Sequence, residues 1–106
     1  MKVDNFKAVY KILSSLEEQM DKPNVDVSKF DNEQLGISKE RWIKHIEMME
    51  DIEYIKGCHI YTNIDGENIC NTEDIKITLK GLEYLQENSI MQRIYKTAKG
   101  IKDIVS

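Results

Sequence analysis

The stretch Asp74-Ile75-Lys76-Ile77-Thr78-Leu79-Lys80-Gly81-Leu82-Glu83-Tyr84-Leu85 changes its hydrophobic period in the middle. Ile75 and Ile77 alternate with polar residues, as on a half-buried strand. Leu79, Leu82 and Leu85 then recur at helical spacing, with Tyr84 beside them. Thr78 stands at the switch, where a short hydroxyl accepts from the free amides of a starting helix. Gly81 lets another backbone approach that first turn, at some cost in helix propensity. The segment therefore reads as a strand running directly into a helix.

Immediately upstream lies its strand partner. Ile52 to Thr62 reads as a strand, and Asn63-Ile64-Asp65-Gly66-Glu67-Asn68 contains Asp-Gly, a strong two-residue hairpin signal. With Asp65-Gly66 as the turn, Ile64 faces Glu67, Thr62 faces Ile69, Tyr61 faces Cys70 and Ile55 faces Lys76. The long hairpin is then a wing whose tip is acidic or neutral, with Asp65, Glu67, Glu73 and Asp74 nearby. Phosphate-gripping wings offer lysine or arginine instead.

Further upstream, Phe30 to Trp42 carries Leu35-Gly36-Ile37-Ser38 between two helical segments. Gly36 supplies the left-handed residue of a helix stop, Ile37 points inward, and Ser38 caps a new helix. That is the pattern of a helix-turn-helix. Its second helix runs from about Lys39 to Asp51, with Trp42, Ile46 and Met49 buried and Ile43 on the shoulder. Glu40, Arg41, Lys44, Glu47, Met48 and Asp51 fall on the other side. If this helix reads DNA, Lys39, Arg41 and Lys44 make the contacts; otherwise Arg41 and Lys44 pair with neighbouring carboxylates.

Toward the N-terminus, residues 4–21 read as a helix with Asp4 as cap. Phe6, Val9, Tyr10, Leu13, Leu16 and Met20 form its apolar face, and Pro23 is its stop. Val25 and Val27 alternate with Asp26 and Ser28, enough for one short strand. Toward the C-terminus, Leu79 to about Asn88 closes a domain of residues 1–88. A last helix is expected within 89–106, packing on the core or pairing two copies through Ile90, Ile94, Ile101 and Ile104.

The charge is uneven. The chain of 106 residues has net charge −4. Within 89–106, however, Arg93, Lys96, Lys99 and Lys102 meet one acid, Asp103. That basic tail is either a solvated helix face or a surface for phosphate, a membrane or an acidic partner. No apolar run approaches the roughly 18 residues of a membrane span, and no signal-peptide pattern opens the chain, so a cytoplasmic protein is expected. Cys58 and Cys70 are too few for a disulfide framework and are expected as reduced thiols.

Metal binding would need clustered ligands, and Cys58, His59, Cys70 and His45 are the soft candidates. In the register above, the two cysteines lie on opposite faces of the hairpin and His45 sits on a helix elsewhere, near the core edge. No metal and no cofactor are expected. No nucleophile elbow, glycine-rich phosphate loop or catalytic carboxylate pair stands out, so the chain is not expected to be an enzyme.

The order of elements, helix, strand, helix, helix, strand, wing, strand, helix, resembles the YjcQ family, small winged-helix proteins of Gram-positive bacteria and their phages. Phe6, Ile12-Leu13, Leu35-Gly36-Ile37-Ser38, Trp42, Tyr54-Ile55-Lys56-Gly57 and Ile77-Thr78-Leu79-Lys80-Gly81-Leu82-Glu83-Tyr84-Leu85 carry the likeness. More distantly, the last motif resembles the end of the wing in dimeric transcriptional regulators such as the MarR and PadR groups. The resemblance implies an α+β fold: a winged helix-turn-helix with a small antiparallel sheet and a C-terminal helical extension. The expected function is DNA binding in a bacterial or phage transcriptional regulator, with Arg93, Lys96, Lys99 and Lys102 adding backbone contacts. The alternative is a winged-helix module for protein–protein contact, without DNA binding.

Overall fold

A computed structural model describes residues 5–88. Four α-helices and four short strands make up this α+β, winged-helix-like arrangement. They are α1 (Asn5–Glu18), α2 (Asn32–Leu35), α3 (Lys39–Asp51), β1 (Ile55–Lys56), β2 (His59–Thr62), β3 (Asn68–Asn71), β4 (Lys76–Ile77) and α4 (Leu79–Glu87). Asp4 and the segment 89–106, with the expected extension, its basic residues and its isoleucine stripe, lie outside the described residues.

One core gathers all layers. Ile12, Leu13 and Leu16 of α1 meet Phe30, Trp42, Ile43, Ile46 and Met49, and Ile55, Ile75 and Ile77 close the base of the wing. Burying each large aliphatic or aromatic side chain contributes roughly 1.5–3 kcal/mol.

Helix α1 is shorter than its apolar spacing predicts, and its buried face is Ala8, Ile12, Leu13 and Leu16. Phe6 and Met20, expected in the core, are 67% and 56% exposed. Phe6 sits in the first turn, and Met20 lies past the helix end. The reason for the early end is Gln19. Its buried amide accepts the Asp26 N–H at 2.7 Å, and its Nε2 donates to the Asp26 carbonyl at 3.3 Å.

This pairing also removes the strand expected at Val25–Ser28. Both backbone groups of Asp26 are satisfied by a side chain, so no neighbouring strand is needed. The Asp26 carboxylate then accepts from the Ser28 N–H and hydroxyl at 3.1 and 2.6 Å, curling Val27–Lys29 into a 3-10 turn. These hydrogen bonds hold the Asp26 carboxyl below its ordinary range.

The hairpin is split. The expected continuous strand from Ile52 to Thr62 is interrupted at Gly57-Cys58, and the pairs β1–β4 and β2–β3 form two separate two-stranded sheets. At the tip His59 faces Asn71, Ile60 faces Cys70, Tyr61 faces Ile69 and Thr62 faces Asn68. At the base Ile55 faces Ile77 and Lys56 faces Lys76. Both registers differ by one residue from the pairing expected of a two-residue turn.

Asn63 explains the tip. Its Oδ1 accepts the Asp65 and Glu67 N–H groups at 3.0 and 2.9 Å, and its backbone bonds to Gly66 and Glu67. The connection is therefore a three-residue loop, Ile64-Asp65-Gly66, closed by the Asn63–Glu67 pair, with Gly66 as its left-handed residue.

At the closing motif Thr78 is the cap expected of it, its Oγ1 accepting the Gly81 N–H at 3.1 Å. That hydroxyl also donates to the Glu53 carbonyl. Leu79 departs from expectation: it is 75% exposed, and Leu82 and Leu85 meet the core while remaining half-buried.

Candidate nucleic-acid interface

The orientation of α3 follows from local chemistry on either side of Gly36. Asp31 accepts the Gln34 N–H at 3.0 Å and caps α2. Gly36 turns left-handed at φ 69° and returns its N–H to α2. Buried Ile37 anchors the turn, and Ser38 Oγ accepts the Arg41 N–H at 3.1 Å to start α3. Across the core, Trp42 Nε1 donates to the Phe30 carbonyl at 2.9 Å. These ties point Trp42, Ile43, Ile46 and Met49 inward.

The opposite face is consequently exposed, and it carries Glu40, Arg41, Lys44, Glu47, Met48 and Asp51. Arg41 and Lys44 are both solvent-accessible, one turn apart on this outward face, whereas Lys39, also exposed, starts the helix about 200° round the axis from Arg41. Arg41 does more than project. Its Nη1 donates to Asn5 Oδ1 at 2.7 Å, so a neutral amide of α1 steadies the guanidinium and leaves its charge uncompensated by that bond.

His45 completes the brace. It is buried, where the core edge was expected; its Nδ1 donates to the Arg41 carbonyl at 2.9 Å, and its Nε2 lies 3.1 Å from the same Asn5 Oδ1. Sequence reasoning missed Asn5 entirely. The His45–Arg41 spacing of four is a local signal, but nothing local relates either residue to Asn5.

A second basic pair was also missed. Lys56 and Lys76 stand directly opposite each other at the wing base, both exposed, and Lys80 shares a surface depression with Lys56. The expected register set Lys76 against Ile55, which hid the pairing. Like charges placed across a ladder repel. At the tip Asp65 and Glu67 are exposed, as expected; at the base the lysines are mixed with acids, exposed Glu73 and Asp74 just before Lys76, and Glu50 and Glu53 lining the depression beside Lys56 and Lys80.

An apolar groove borders α3. It is lined by Asn5, Phe6 and Val9 of α1, by Lys44, Met48 and Ile52, and by Tyr54 and Tyr84. The two tyrosine rings meet at 4.9 Å between centroids, tilted by 43°. Met48 and Ile52 are 53% and 49% exposed along this groove.

Cys58 and Cys70 also correct an expectation. They do not lie on opposite faces. Ile60 faces Cys70, and Cys58 stands two residues before Ile60, at the break just ahead of β2, where the two thiols share a hydrogen bond. No group of three or more His, Cys, Asp or Glu side chains suited to a metal ion occurs among the described residues. None of the described helices is long and apolar enough to cross a membrane.

No curated protein and no solved structure matches the chain. The family model described as YjcQ protein matches residues 10–104, running from α1 through the helix-turn-helix and the wing into the C-terminal segment. The chain therefore belongs to the YjcQ family.

Proposed function

We propose that this protein binds DNA as a winged-helix transcriptional regulator of bacterial or phage origin, reading the duplex with α3. The observation that carries this reading is the exposed pair Arg41 and Lys44 on the outward face of the second helix of a helix-turn-helix, with Lys39 exposed at its first position and Arg41 braced by Asn5. A side chain already held in place loses less conformational freedom when it meets a base edge or a phosphate. Lys56 and Lys76 supply phosphate contacts at the wing base, and Arg93, Lys96, Lys99 and Lys102 add further backbone contacts. No catalytic step and no cofactor enter this function.

The test is fluorescence anisotropy of a labelled random-sequence duplex at about 50 mM and about 200 mM salt, between which several phosphate contacts lose roughly three decades of affinity. Binding with that salt dependence, abolished by Arg41→Glu with Lys44→Glu, supports the reading. Unchanged affinity in the double variant removes α3 as the recognition surface.

A second reading, contact with another protein in place of DNA, is favoured by the apolar groove with exposed Met48 and Ile52. Its partner is a second copy of this chain, which would also cover Ile90, Ile94, Ile101 and Ile104. Light scattering then shows a dimer that Met48→Lys with Ile52→Lys disrupts. A monomer at high concentration rejects it.

A further inference from the structure

The chain contains two cysteines, and the wing brings them together. Cys58 is 4% exposed and belongs to the core at the break between β1 and β2. Cys70, half-buried on β3, packs against that core on the same side of the hairpin. Cys70 faces Ile60, two residues past Cys58, and both cysteines pack in the same core at the break in the hairpin; there each thiol is the other's hydrogen-bond partner. A disulfide demands close, converging side chains, and a residue pair without that geometry cannot be bridged in place.

We propose that Cys58 and Cys70 form a reversible oxidation site that takes a hydroperoxide as its oxidant and closes to an intramolecular disulfide across the wing. Cys70 is the attacking group. It is the more accessible of the two, and the hydrogen bond from Cys58 draws its thiol below the ordinary range. The same contact, with burial and the nearby Glu50 carboxylate, pushes the Cys58 thiol up and keeps its sulfur protonated until Cys70 has reacted. Glu50 itself is held by accepting the Cys58 backbone N–H at 3.1 Å.

In the first step the Cys70 thiolate attacks the peroxide and breaks its O–O bond. Cys70 becomes a sulfenic acid, and the departing oxygen takes up a proton and leaves as water. In the second step the Cys58 sulfur attacks Cys70 Sγ, forming the S–S bond. The sulfenic hydroxyl leaves as water with the Cys58 proton. Two thiols lose two electrons and two protons, and one hydrogen peroxide becomes two waters. A dithiol reverses the reaction by two exchanges.

The full chain is treated with hydrogen peroxide under native conditions, then examined by intact mass and by thiol titration after unfolding. The expected product is a monomer lighter by two hydrogens, with the thiol count falling from two to none and returning to two with dithiothreitol. Cys58→Ser retains a reactive Cys70 that accumulates sulfenic acid, trapped by a dimedone probe. Oxygen addition to the wild-type chain with one thiol remaining overturns the proposal, as does a disulfide formed only between copies. So does a chain that keeps both thiols while a free low-molecular-weight thiol in the same solution is consumed.

Discussion

Gly57 backs directly onto the carbonyl of Asp74: a Cβ at that position would stand 1.9 Å from the oxygen. This contact joins the break in the outgoing strand to the four-residue excursion Thr72-Glu73-Asp74-Ile75 on the return. It also explains why a hairpin with one turn carries two registers. Gly57 has φ 87°, so a side chain there is excluded by conformation as well as by space.

Replacing Gly57 with alanine should therefore lower stability by roughly 2–4 kcal/mol, from left-handed strain together with overpacking. Urea unfolding followed by circular dichroism measures the loss. A change below about 0.5 kcal/mol, the scale of a neutral surface substitution, would show that the two strands do not meet this closely.

Gly81 gives a test with an unusual sign. Alanine at a helical glycine ordinarily stabilises by up to about 1 kcal/mol. Here the added Cβ would meet the Tyr54 carbonyl at 2.4 Å and Ile77 Cγ1 at 2.7 Å. Gly81→Ala should destabilise instead, by about 1–3 kcal/mol. A rise in the urea midpoint would mean that α4 stands off from Tyr54 and Ile77.

Trp42→Phe should cost about 1–3 kcal/mol, because the buried Phe30 carbonyl loses its donor as the core loses volume. Comparing it with Trp42→Leu separates the two effects in the same unfolding assay. Equal stability of wild type and Trp42→Phe would show that the Phe30 carbonyl finds another partner.

What could be read from the sequence was local. Gly36, Ser38 and Thr78 took the backbone roles expected of them, because a cap or a left-handed stop acts over three or four residues. The α3 face was legible for the same reason: Trp42, Ile46 and Met49 repeat at the helical period and were enough to orient it. The site beyond that helix depended on contacts between distant segments. Asn5 reaches Arg41 across 36 positions, and its own sequence neighbours announce nothing of it. The Lys56–Lys76 pair and the meeting of Cys58 with Cys70 both turned on register. Asn63 decided that register by accepting two amides inside the loop, where Asp65-Gly66 alone pointed to a tighter turn. Gln19 misled in a similar way, since a polar side chain serving as the backbone partner of Asp26 leaves no periodic trace.

The divided hairpin makes the wing modular. Ile55 and Ile77 weld its base to the core and Ile60 and Cys70 still pack against it, whereas Tyr61, Thr62 and Asn68 beyond them are exposed. Residue pairs added or removed between Thr62 and Asn68 would lengthen or shorten the tip without moving α4 or the helix-turn-helix. The reach and charge of the tip can thus be changed while the base is kept, and a designer has a graft point beyond Gly57 whose upstream geometry stays constant.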